Sequence, residues 1–402
     1  MKTHFQILII GGGNAGISLA AQLKRKDRSF DVAVMDPSEK HYYQPAWTLV
    51  AGGVFNIENT VRPEAAVIPA GVPWIKEAAQ GFAPEQNAVT TREGNRYTYD
   101  WLVVAPGIQL DWHKIKGLEG NLGRNGITTN FLFQYAPYTW ELLQNLKKGK
   151  ALFTNPNTPI KCGGAPQKIT YLASDYWRKQ GVLKDVEVHF YSAGAIIFGV
   201  PKYAATLNQV IARYGVRTHF KHNLVEIKAD EKVAVFDRYE EGKVVEQVQT
   251  PFDMIHITPP QSAPDFVKNS PLAVAGNPLG WVDVDKYTFR HNRYPNIFSI
   301  GDASSTPNSK TGAAVRKQVP VLVEQMNSLI KTGQLADARY NGYGSCPLIT
   351  GYGKLVMAEF DYDNQPVETF PFDQAKERWS MYQLKKQVLP RLYWNAILKG
   401  LM

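Results

Sequence analysis

Cysteine is almost missing from this sequence, with two in 402 residues, Cys162 and Cys346. That scarcity excludes a disulfide-stapled secreted scaffold. No stretch of 18 or more apolar residues occurs, so no membrane-spanning helix is expected. The opening residues run straight into a strand pattern, without the layout of a signal or transit peptide. Zinc-finger, helix-turn-helix and RNA-binding signatures are also missing, and no nucleic-acid partner is expected. His113, His189 and the other histidines lack metal-ligand spacing, so no metal site is expected either. What is present is ordinary for a globular chain: 44% hydrophobic and 20% charged residues exclude general disorder. The length predicts two or three domains and a core that needs no crosslinks. Net charge is +9, and it is uneven. Residues 376–402 hold six Lys or Arg against one acid, a net of +5.

Residues 6–10 read as a strand buried on both faces of a parallel sheet. Gly11-Gly12-Gly13-Asn14-Ala15-Gly16 follows, and then Ile17, Leu19, Ala20 and Leu23 at helical spacing. This is Gly-x-Gly-x-x-Gly between strand and helix. Gly11 permits the tight turn, Gly13 admits a pyrophosphate, and Gly16 lets helix lie close on strand. Asn14 and Ala15 open the helix, whose N-terminus favours negative charge. A second strand, 31–35, ends at Asp36, placed to accept hydrogen bonds from ribose hydroxyls. Together these features predict a dinucleotide-binding domain.

Farther on, Val103-Val104-Ala105-Pro106-Gly107 and Ile297-Phe298-Ser299-Ile300-Gly301-Asp302 each end a strand. They resemble the later fingerprints of the two-dinucleotide-domain flavoprotein superfamily. That resemblance implies FAD as cofactor, with Ala105, Gly107 and Gly301 beside it and Asp302 on its ribityl chain or phosphate. Lys310-Thr311-Gly312 opens a helix whose positive end would face the flavin pyrimidine. The alternative for Asp302 is an ordinary helix cap.

Residues 150–154, 167–179 and 186–191 read as a second strand–helix–strand unit. Its loop, 155–166, carries three prolines and Cys162 where a second glycine fingerprint would sit. Prolines remove the amides a pyrophosphate needs, so nicotinamide is not the expected redox partner. Lys161 and the nearby helix start would both favour the thiolate of Cys162. Cys346 lies in a glycine-rich loop, and its local sequence decides nothing about its role.

Thr158-Pro-Ile-Lys-Cys162-Gly-Gly-Ala-Pro-Gln-Lys168 and Tyr343-Gly-Ser-Cys346-Pro-Leu-Ile-Thr-Gly-Tyr-Gly-Lys354 closely resemble sulfide:quinone oxidoreductase of the two-cysteine, mitochondrial-like type. His41-Tyr42-Tyr43-Gln44-Pro45 and Leu389-Pro390-Arg391-Leu392-Tyr393-Trp394 fit it too. Arg316-Lys317-Gln318 departs from it, where smaller residues are expected. The resemblance implies that Cys162 and Cys346 meet beside the flavin, bridged by a disulfide or an inserted sulfur. Hydrogen sulfide attacks the bridge, Cys346 carries the persulfide, and the Cys162 thiolate adds to the flavin. A sulfane-sulfur acceptor (thiol, sulfite or sulfide) then takes the sulfur, and ubiquinone or another membrane quinone takes the electrons. By the same resemblance Gln44, Ala78 and Lys354 contact FAD, with quinone an alternative for Lys354.

Read as a helix, 390–402 shows a basic stripe (Arg391, Asn395, Lys399) and three largely apolar ones. With Trp379, Tyr382, Leu384 and Val388 before it, this predicts a helix pair lying in a lipid interface. The alternative is that the stripes cover the body of the protein. The expected architecture is α/β, with two Rossmann-like, disulfide-reductase-like dinucleotide-binding domains plus a C-terminal membrane-associating segment. The FAD-binding domain spans 1–110 and 281–330, the second domain 111–280, and the tail region 331–402. The expected setting is a peripheral, monotopic protein on the cytoplasmic face of a bacterial inner membrane, with oligomeric state left open. Two competing readings are a type II NADH:quinone dehydrogenase and a non-catalytic flavin-binding membrane sensor or scaffold.

Overall fold

The computed structural model describes residues 2–402. The elements that position the site are, in chain order, β1 (His4–Ile10), α1 (Asn14–Lys26), β2 (Val32–Met35), β3 (Arg96–Val104), β4 (Gly149–Asn155), α2 (Ala165–Lys179), β5 (Val186–Ser192), β6 (Ile297–Ser299), α3 (Gly312–Thr332), β7 (Gly344–Gly351) and β8 (Lys354–Phe360).

β1 is the middle of a seven-stranded sheet, parallel to β2 through Ile7↔Val32 and to β3 through Ile7↔Trp101. Neighbours on both sides, α1 and α3 over one face and the 263–284 segment over the other explain why Ile7, Leu8 and Ile9 are fully buried. Each such side chain contributes about 1.5–3 kcal/mol relative to exposure. The nine-residue β3 has two partners along its far edge. Its first half pairs with Ala88–Thr91, antiparallel, and its second half with β6, parallel, through Phe298↔Val103. The chain thus returns some two hundred residues later to complete its first sheet, and α3 comes back beside α1.

A second sheet is parallel throughout, in the order Ile127–Thr128, Met254–His256, β4, β5, Arg217–Phe220. Between its strands Arg217–Phe220 and Met254–His256 the chain inserts an antiparallel meander (His222–Lys228, Val233–Glu240, Lys243–Pro251). This is the expected pair of Rossmann-like α/β units. The hairpin β7–β8 lies over α2, with Cys346 opposite Ala358 in its register.

No helix among the described residues is long and apolar enough to cross a membrane. The tail is helical over 379–397, but its turns alternate between α pitch and the wider π pitch. Wide turns break the i, i+4 stripes that an ideal helix would present. Tyr393, Trp394 and Leu398 turn inward and are 6%, 4% and 0% exposed. For Tyr393, Trp394 and Leu398 the alternative reading, stripes that cover the body, is the one observed. The tail's apolar side chains divide between the body and an outward rim of Trp379, Val388 and Leu401.

Candidate active site

Four strands of the first sheet end on one edge, where α/β sheets bind ligands. Gly12 and Gly13 follow β1, Asp36 follows β2, Ala105 and Gly107 follow β3, and Gly301 and Asp302 follow β6. All of them line one cavity of about 610 Å³. Asn14 and Ala15 from α1, Gln44, and Lys310, Thr311 and Gly312 at the start of α3 also line it. Gly11 and Gly16 stand behind the wall. A Cβ on Gly11, at φ +109°, would lie 2.3 Å from the Ala105 carbonyl oxygen, so only glycine allows this turn. Ala78 and Lys354 are not brought to the cavity. The carbonyl of Ala78 accepts from the amide of Arg92, and Lys354 sits at the hairpin turn near Glu377.

Several features fit a dinucleotide here. Nothing lies within 4 Å of where a Cβ of Gly13 would point. Two helix N-termini, of α1 and α3, converge on the cavity with their free amides. Asp36 is braced by amides, Gly12 N at 2.6 Å and Ser38 N at 2.7 Å, which leaves further lone pairs for hydroxyl donors. Glu64, 2% exposed, keeps its Oε1 buried with no partner, an acceptor awaiting a donor. Asp302 does not cap α3, because the Thr311 hydroxyl does so by accepting from Ala314 N. Burial pushes the Asp302 carboxyl up against the pull of Lys310 and Lys161. The unusual Gln318 serves the turn after β6. Its side-chain oxygen holds the Gly301 amide at 2.9 Å, while Arg316 reaches the cavity wall.

The second sheet supplies the thiol. Its loop after β4 has no free amides to offer a pyrophosphate at three positions. Asn157 N donates to Asn223, Lys161 N to Gln261 and Cys162 N to the Lys310 carbonyl. Cys162 itself takes a left-handed backbone, φ +56°. For a side-chain-bearing residue that is a strained conformation of the kind found at functional sites. Cys162 lines the cavity, and Cys346, 2% exposed, lies behind it. Both are free thiols and pack in one cluster, each shifting the other's ionisation. Gly164 makes this approach possible, because a Cβ there would sit 2.5 Å from the Cys346 sulfur.

The pair is electrically polarised. The neighbouring Cys346 thiol, aided by Lys168, holds Cys162 well below the usual thiol range despite its burial. The neighbouring Cys162 together with burial pushes Cys346 well above it. The cation responsible is not the expected Lys161, whose ammonium hydrogen-bonds Gln44. It is Lys168, in the first turn of α2, with Nζ 2.9 Å from the Cys162 sulfur. Burial opposes the charge on Lys168, but the two sulfurs outweigh it and hold the ammonium above its ordinary range. Lys385, from the tail, is a second buried cation close to both thiols. Burial and the neighbouring Lys168 push it down to about 8. Lys168 falls inside the motif around Cys162, six residues on, where helix placement could have revealed it. Lys385 carries no local signal.

The tail closes the cavity from the other side. Tyr393, Ile397 and Met402 line it. Tyr393 shares a 2.6 Å hydrogen bond with His41 Nε2, and His41 Nδ1 lies 3.2 Å from Glu64. Arg62 covers the Trp394 ring at 4.4 Å. Toward β7 and β8 the lining turns apolar, with Pro347, Met357, Phe370, Leu384, Leu389 and Leu392.

Comparison with known proteins locates this arrangement. Residues 5–155 match the family described as pyridine nucleotide-disulphide oxidoreductase. The chain is similar to the mitochondrial sulfide:quinone oxidoreductase of Mus musculus, 46% identical over 99% of this chain and 87% of that protein. A protein of the same description from Dictyostelium discoideum is 45% identical, over 100% of this chain and 87% of its own. In fold it is similar to the X-ray structure of sulfide:quinone oxidoreductase from Aquifex aeolicus, with a TM-score of 0.83 at 19% identity, covering 100% of this chain and 92% of that one. Both sequence relatives are described as mitochondrial, so they lend no support to the expected bacterial inner membrane.

Proposed function

Because the chain belongs to the sulfide:quinone oxidoreductase family, a family of flavin-dependent enzymes, we propose that it oxidises sulfide to sulfane sulfur with FAD and a Cys162/Cys346 pair, and passes the electrons to a membrane quinone. The observation that carries this reading is the pair of clustered free thiols, one of them 2.9 Å from the Lys168 ammonium, at the wall of a cavity lined by the glycine turns.

The polarisation predicts the direction of attack. In thiol–disulfide exchange the sulfur of lower pKa is the better leaving group. With the pair oxidised to a disulfide, HS⁻ attacks the Cys346 sulfur. An S–S bond forms to the incoming sulfur, the Cys162–Cys346 bond breaks, and Cys162 leaves as a thiolate beside Lys168. The product is a persulfide on Cys346. A nucleophilic acceptor, a thiol or sulfite, then takes the outer sulfur and leaves Cys346 as a thiol. FAD, when bound, supplies the two-electron acceptor that returns the pair to the disulfide and hands the electrons on. Gly13, Asn14, Asp36, Gly301, Asp302 and Thr311 are the residues that would hold it, with Gln44, Ala105, Gly107, Lys310 and Gly312 around them. The apolar stretch of the cavity suits a quinone head group. The outward Trp379, Val388 and Leu401, with Lys386, Arg391 and Lys399 nearby, suit attachment to a lipid interface.

A dehydrogenase acting on NADH has less support, because amides of the 155–166 loop are already bonded within the protein. Anaerobic mixing tests the proposal. Sulfide should bleach the flavin absorbance, NADH should not, and a short-chain quinone should restore the colour. A flavin that stays yellow in sulfide would sink the reading.

A further inference from the structure

Where the cavity wall is apolar, one carboxylate interrupts it. Glu359, on β8, is 4% exposed and lines the cavity next to Tyr343, Met357 and Phe370. A carboxylate buried there is costly unless hydrogen bonds replace its water. Four donors do so. Oε2 accepts from Thr369 N at 2.9 Å, Thr369 Oγ1 at 2.8 Å and Gln374 Nε2 at 2.8 Å. Oε1 takes the Tyr343 hydroxyl, and Tyr343 is itself 5% exposed and faces the same cavity. Thr369 is exposed, which puts Glu359 one side chain from bulk water. An apolar residue would seal this wall at less cost, so the carboxyl and the phenol point to a chemical role.

Resting on the quinone reading above, we propose that Tyr343 and Glu359 form the proton relay to the reduced acceptor. Turning a quinone into a quinol takes two electrons, supplied by the proposed reaction, and two protons. Along the β7–β8 side, where Pro347, Met357 and Phe370 make the wall apolar, few side chains can supply them. Tyr343 is the donor at the cavity. Its hydroxyl rests on the Glu359 carboxylate. Once water on the Thr369 side has protonated that carboxylate, the hydroxyl turns to the quinone oxygen, its O–H bond breaks as one forms there, and the phenol oxygen takes the proton from Glu359. The carboxylate left behind is held by Thr369 and Gln374 until water returns a proton through the Thr369 side. The second proton follows the same path after that recharge. Arg316 beside the phenol and Lys317, 5.7 Å from its ring centroid, favour movement of negative charge onto this pair.

The test uses flavin-loaded wild type, Glu359→Gln and Tyr343→Phe in anaerobic stopped flow. Flavin reduced by sulfide is mixed either with a short-chain ubiquinone or with ferricyanide, which accepts electrons without protons. Both variants should reoxidise with quinone on the order of 10²-fold more slowly than wild type, the usual weight of a positioned proton donor. Their reduction by sulfide and reoxidation by ferricyanide should match wild type. Unchanged quinone rates, or equal slowing with both acceptors, would overturn the relay. Should Glu359→Gln fail to retain flavin, Tyr343→Phe alone decides by the same criterion. Reducing the flavin with dithionite instead of sulfide keeps the relay testable even if sulfide proves not to be the substrate.

Discussion

Replacing Lys168 with methionine isolates the electrostatics of the thiol pair. Methionine keeps most of the side-chain length, so the main change is removal of the ammonium 2.9 Å from the Cys162 sulfur. At that separation the gross attraction of two unit charges is about 6 kcal/mol at an effective dielectric of 20. Burial opposes both charges and consumes much of it, and charge-assisted hydrogen bonds typically retain about 2 kcal/mol net. On that scale the thiolate population on the acid side of the midpoint falls roughly 30-fold. The assay is the pH dependence of iodoacetamide alkylation, run in a Cys346→Ser background so that Cys162 is the reporter. The sign follows from the structure. Losing a cation that favours the thiolate, while burial still opposes it, moves the midpoint upward. Superimposable profiles with and without Lys168 would refute the reasoning and leave Lys385 and the residue at position 346 as the causes of the lowered Cys162.

Changing either cysteine to serine should abolish sulfide-dependent quinone reduction while flavin stays bound, as read from turnover and from the visible spectrum. Near-normal turnover in Cys346→Ser would remove it from the proposed chemistry. Tyr393→Phe strips His41 Nε2 of its 2.6 Å partner inside the core. That should cost about 1–3 kcal/mol, visible as a thermal midpoint lower by roughly 1–4 °C. Trp379→Ala combined with Leu401→Asn should weaken sedimentation with liposomes and leave the melting temperature unchanged, since both side chains point outward. Truncation after Lys376, by contrast, should also reduce flavin retention, because Tyr393, Ile397 and Met402 form part of the cavity wall.

The first nucleotide unit was legible because its signals are local. Strand, glycine turn and helix follow one another within about twenty residues, and the φ of +109° at Gly11 is a local demand for glycine that the distant Ala105 carbonyl only reinforces. Predicted and observed elements differ there by only a residue or two at the ends, as for β1 and β2. The loop around Cys162 was legible in the same way, since three prolines and a missing glycine run are visible without a fold. The tail misled in part because stripes drawn at α pitch assume an unbroken α-helix. Tyr393, Trp394 and Leu398 pack on the body instead.

Other features had no local signature. Lys385 reaches the thiols from the far end of the chain, and Glu359 meets Tyr343 through the pairing of β7 with β8. Their chemistry arises from burial and from charges brought within a few ångströms, which pairwise order along a chain does not encode. Sequence alone determined that this chain builds a glycine-turn dinucleotide unit and carries two isolated cysteines in distinctive surroundings, since both depend on residues adjacent in the chain. Only the tertiary structure decided that Lys168 rather than Lys161 serves the thiol and that the tail walls the cavity, because short-range electrostatics and packing act through space.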